Sequence, residues 1–148
     1  MTAQLSKQRI YAFLMILGSG FLLFRTVHLM FVNDAFHLYV WWASALLVVE
    51  FLTDLAWLVA SIRWLFSNQK DKANASLKLA AMAIIVHAIR VLVFVLGRTG
   101  PWVNFDVRAE HHADYSFEWF WVYFAGTLSA LSVIALALIW YLIRKSQR

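Results

Sequence analysis

The sequence predicts an all-α integral membrane protein: four transmembrane helices in an antiparallel bundle, with both termini cytoplasmic. Three observations lead there. The 148 residues are 63% hydrophobic and 14% charged, whereas soluble domains average about 25% charged. The apolar residues gather in four runs, 10–32, 38–66, 77–97 and 117–143, each meeting the ~20 residues a spanning helix needs. Lys and Arg are shared unevenly among the segments outside those runs, as the positive-inside rule requires. The length suits one domain, spanning residues 1–148.

The first run follows Lys7 and Arg9 and so looks at first like a signal peptide. It is too long for one, Arg25 interrupts it, and no small-residue cleavage site follows before Asn33. It is therefore expected to be a span. The second run carries Glu50 and Asp54 near its middle, four residues apart and thus on one helix face. Insertion scales set the cost of each carboxylate there at roughly 2.5–3.5 kcal/mol, so groups elsewhere should answer them. His87 and Arg90 stand in the third run, and the fourth offers only the hydroxyls of Thr127, Ser129 and Ser132.

Nine of the thirteen basic residues fall on one side: Lys7, Arg9, Arg63, Lys70, Lys72, Lys78, Arg144, Lys145 and Arg148. Only Arg98 and Arg108 fall on the other, and Arg25 and Arg90 lie within spans. The termini and the 67–76 connection are accordingly expected in the cytoplasm, with the bundle in a plasma or bacterial inner membrane. This placement explains the net charge of +5, and no nucleic-acid partner is expected; the partner is the lipid bilayer. The match to a glycosylation acceptor at Asn74-Ala75-Ser76 should then be silent.

Cysteine is absent, which excludes disulfides, thiolate metal sites and thiol catalysis. No Gly-rich phosphate loop, GxSxG or HExxH occurs, so no reaction is diagnosed. Aromatics are concentrated toward the outer boundary, with Trp41, Trp42, Trp102, Trp119 and Trp121 among them, while Trp64, Phe66, Trp140 and Tyr141 mark the inner one. An interfacial belt accounts for them; a hydrophobic pocket in the outer half is the sharper alternative.

At ~1.5 Å of rise per residue, Arg25, Glu50 and Arg90 fall in nearly one layer, with Asp54 and His87 in the layer below. Ionisable groups inside a bilayer normally face the bundle interior and pair. Arg25, Glu50, Asp54, His87 and Arg90 are therefore expected to point inward as one ligand or proton site. A histidine beside carboxylates can titrate near neutral pH. The bland alternative is a set of ion pairs that only fixes helix register. Small residues at Gly18, Ala80, Ala83 and Gly126 permit close helix approach.

The 98–116 connection contains Gly100-Pro101, a turn signal, and Glu110-His111-His112-Ala113-Asp114. His28, His37, His111, His112 and Asp114 could bind Zn or Cu, since imidazole and carboxylate suit both. A solvated acidic loop and a lid over the bundle are the alternatives. Haem between His28 and His87 is disfavoured by a depth difference of ~10 Å, though His28 with an outer histidine, or a quinone among the outer aromatics, stays open. The expected function is binding or transport of a proton, ion or small polar or amphipathic ligand. An accessory subunit of a larger membrane complex, respiratory complexes included, and a haem-, quinone- or metal-binding redox protein are the alternatives. Four helices enclose little volume, so a homo-oligomer or a larger complex is expected.

Overall fold

The computed structural model describes residues 2–67, 69–114 and 118–147, with side chains from Lys7 onward. Helix α1 (Thr2–Val27) runs on through one turn of π-helix (His28–Val32). A short α2 (Ala35–Leu38) leads into α3 (Trp41–Ser67), α4 (Lys70–Leu96) and α5 (Trp119–Ser146). Four segments are long and apolar enough to cross a membrane: Lys7–Val32, Trp41–Ser67, Lys70–Leu96 and Trp119–Ser146. The chain forms an all-α four-helix membrane bundle.

Helices α1, α3 and α4 each bury a stripe of residues spaced alternately three and four apart. On α3 the stripe is Ala43, Leu47, Glu50, Asp54, Trp57, Ser61 and Trp64. On α4 it is Ala73, Ser76, Ala80, Ala83 and His87, and Arg90 continues it by spacing. A mean repeat of 3.5 keeps one seam toward the neighbouring helix, as in coiled-coil packing. The α4 seam is mostly small, which makes room for the indoles of Trp57 and Trp64, both fully buried. On α1 the buried stripe is Ala12, Met15, Ser19, Leu22 and Thr26, then Met30 in the π-turn. A strict repeat would place the last at 29; the wider turn adds one residue.

Helix α3 packs closely on both α1 and α4, and α4 on α5, while α5 and α1 close the ring more loosely. At the end carrying the termini, Tyr11 and Ser146 share a hydrogen bond of 3.0 Å and Gln147 donates to Gln8 at 3.2 Å. Midway, Gly18 lets α1 approach closely: a Cβ there would lie 2.9 Å from Leu136 Cδ2 and 3.3 Å from Trp57, so Leu136 would have to shift.

Several expectations need correction. The third span starts at Lys70, not residue 77, because Asp71 in its first turn suits the helix dipole and the Ser61–Ser76 hydroxyl bond of 2.8 Å ties the added turns to α3. Leu38 belongs to α2 and not to the second span: Tyr39 is extended and forms an isolated antiparallel bridge with Val107. The fourth helix begins at Trp119 and continues to Ser146, past residue 143; Phe117 lies outside the described residues, as do Tyr115, Ser116 and Arg148. Trp64, in the last turn of α3, is buried against the bundle rather than exposed as a belt residue would be. Trp41, Trp102, Trp119 and Trp121 are at least half exposed, as a belt requires.

The 98–116 connection, as far as it is described, is not simply solvated. Arg98, Asp106 and Val107 are buried. Arg98 Nη1 donates to Asp106 Oδ1 at 2.6 Å. The Val40 N–H donates to the Asp106 carbonyl at 3.0 Å, and the Arg108 N–H to that of Leu38 at 2.9 Å. Asn104 turns the chain with a positive φ of 58°, a conformation asparagine tolerates better than most residues.

Candidate ligand-binding site

Two apolar clusters fill the bundle. Ala12, Met15, Leu22, Trp57, Trp64 and Ala80 belong to the one toward the termini. Met30, Ala35, Tyr39, Ala43, Leu47 and Val107 form the one at the loop end. A polar layer separates them. Glu50 and Asp54 hold successive seam positions on α3, and both are 0% exposed. Arg90 Nε donates to Glu50 Oε1 at 2.6 Å. His87 Nε2 faces Asp54 Oδ2 at 2.9 Å and Oδ1 at 3.1 Å, while its Nδ1 lies 3.8 Å from Glu50 Oε1. The Thr26 hydroxyl of α1 sits 3.2 Å from Asp54 Oδ2 and 3.5 Å from Glu50 Oε2. Three helices thus contribute to one closed network, in which each carboxylate has a nitrogen partner and a share of one hydroxyl.

Arg25 stands apart. It lies one residue off the α1 seam and turns toward α5, where its Nη2 donates to Ser129 Oγ at 2.7 Å. Its guanidinium carbon is 5.8 Å from the centre of the Phe21 ring. Among the described residues it forms no ion pair. Of the five side chains expected together, the structure joins Glu50, Asp54, His87 and Arg90 and sets Arg25 beside them.

Above the polar layer lies a cavity of about 360 Å³. Phe24, Leu29, Leu46, Leu47, Val93 and Phe94 supply apolar wall. Arg25, Arg90, Ser129, His28, Asn33, Tyr39 and the buried Asp106 supply the polar groups. The lining draws on α1, α3, α4, α5 and the 98–116 connection. The outer tryptophans take no part in it.

The histidine set does not converge. Among the described residues no group of three or more His, Asp or Glu side chains is arranged to hold a metal. The His37 and His111 rings lie 4.3 Å apart, and His111 Nδ1 is 3.2 Å from Asp114 Oδ2. His112 Nε2 donates to the Val107 carbonyl at 3.2 Å, and His28 lies in the cavity wall beside Phe24. Both ring nitrogens of His87 face carboxylates, which leaves neither directed at a haem iron.

Sequence reasoning missed Thr26, and the Arg98–Asp106 pair. Thr26 was findable: it is the next residue of the stripe that starts at Ala12. Comparison with protein-family models, with curated proteins and with solved structures finds no match.

Proposed function

We propose that this membrane protein binds a small polar or amphipathic ligand inside the bundle, in the cavity at its loop end. The observation that carries this reading is a space of about 360 Å³ that is walled mainly by apolar side chains yet holds a guanidinium that forms no ion pair among the described residues. Ligand sites are typically apolar concavities of about 300–1,000 Å³ with a few convergent polar groups. By the Lys and Arg distribution, the loop end faces outward. Below the cavity, the closed Glu50–Arg90–His87–Asp54–Thr26 network and then the indoles of Trp57 and Trp64 fill the bundle. That filling favours a binding pocket over a continuous pore.

The test exploits the absence of cysteine. Ala43 and Ala125 line the cavity, whereas Ala80 is fully buried in the cluster toward the termini. Ala43→Cys and Ala125→Cys should react with a membrane-impermeant methanethiosulfonate added outside intact cells, and Ala80→Cys should not. If the first two are as inert as the third in intact and in permeabilised cells alike, no open cavity exists and the reading fails.

A further inference from the structure

We infer that the ligand is an amphiphile with a single oxyanion head, carboxylate or phosphate, seated against Arg25 and Ser129; this rests on the binding reading above. Arg25 is the one charged group of the polar layer and cavity that no carboxylate contacts directly among the described residues. Arg90 pairs with Glu50 at 2.6 Å, Asp54 faces His87 at 2.9 Å, and the buried carboxylate of Asp106 pairs with Arg98 at 2.6 Å. Arg25 has only a hydroxyl and a ring face. A guanidinium carries five N–H donors in a planar fork that matches carboxylate and phosphate. Ser129 accepts one of them. A cation among apolar walls is costly unless an anion answers it, so the cavity selects for negative charge at this position.

The rest of the cavity selects for an apolar body. Phe24 faces it from α1, Leu29 from the π-turn, and Val93 and Phe94 from α4. The wall between α1 and α5 is the loosest seam of the bundle, and at the loop end the Arg25–Ser129 bond crosses it. An opening there would communicate with the bilayer, from which an amphiphile can enter head first. About 360 Å³ lies at the small end of ligand pockets. It suits a single chain, or the head of an outer-leaflet anionic phospholipid whose tails stay in the membrane.

The experiment follows protection of Ala43→Cys from the neutral reagent N-ethylmaleimide, in nanodiscs of phosphatidylcholine. Unprotected labelling must occur first; its absence would defeat the binding reading itself. Decanoate should then slow labelling, while decanol and decyltrimethylammonium at equal concentration should not. Nanodiscs containing phosphatidylglycerol, without decanoate, form a parallel arm. Protection in either arm supports the inference and tells the free amphiphile from the lipid head. In Arg25→Gln the concentration giving half-protection should rise about ten- to a hundred-fold, as expected for losing hydrogen bonds to a charged group, and Arg25→Lys should retain part of the effect. Three results overturn the inference: no protection in either arm, equal protection by decanol or by the cation, or undiminished protection in Arg25→Gln. The charge series on the Arg25 protein decides the matter even if Arg25→Gln fails to fold.

Discussion

Glu50 and Arg90 meet at 2.6 Å inside the bundle, and the energetics of such a pair are asymmetric. Forming it recovers much of what desolvation costs, but removing one partner strands the other. Arg90→Leu or Glu50→Leu alone should destabilise by about 3–5 kcal/mol. The double substitution should cost clearly less than the sum, because no charge is stranded. Equilibrium unfolding of the two single variants and the double variant in detergent measures the coupling, and simple additivity would mean the two side chains do not interact in the folded protein. The rise per residue along a helix made this pairing legible in the sequence: it put Glu50 level with Arg90, and Asp54 level with His87. It could not tell that Arg25, which lines the cavity beside Arg90, bonds Ser129 rather than a carboxylate, since depth says nothing about rotation around the helix. Thr26, one residue on, occupies the seam instead and directs its hydroxyl to both carboxylates. A lone threonine in an apolar run carries no compositional signal, so its role emerges only from the spacing of its neighbours.

Among elements, the one least legible beforehand is the connection from α4 to α5. Its charges read as a solvated loop, yet the Arg98–Asp106 pair buries it against the start of α3. Gly97 makes the approach feasible: a Cβ there would stand 2.6 Å from Asp106 Oδ1 and 3.0 Å from the Val93 carbonyl. Gly97→Ala should therefore push Asp106 away from Arg98 and loosen the ladder from Asp106 and Arg108 to Leu38 and Val40. Hydrogen exchange reads this directly. The amides of Val40 and Arg108, which donate across the ladder, should exchange faster, while amides in the middle of α4 keep their protection. Unchanged exchange at Val40 and Arg108 would show that the ladder does not depend on the close contact at Gly97. The four long helices themselves were legible because length and hydropathy define a span. Their ends were less so, because α4 continues through the polar residues from Lys70 to Ser76, where Asp71 in the first turn and packing on α3 set the boundary rather than apolarity.

For the whole molecule, the decisive property is which way the bundle faces. The cavity lies at the end carrying the 98–116 connection, and the basic residues Lys70, Lys72, Lys78, Arg144 and Lys145 crowd the opposite end. If Lys and Arg are retained in the cytoplasm, as the positive-inside rule expects, the cavity faces outward, toward ligands of the external phase or the outer leaflet. Asn74 and Trp102 mark the two ends, and both are exposed. In intact cells, Trp102→Cys should be labelled by an impermeant thiol reagent, and Asn74→Cys only after permeabilisation. The same experiment carried out with the cavity variants links topology to function, because Ala43→Cys should follow the behaviour of Trp102→Cys. Should Asn74→Cys be the one labelled from outside, the bundle is inverted. The cavity would then open to the cytoplasm, and the anionic amphiphile would have to come from the inner leaflet, with Arg25 and Ser129 still its seat.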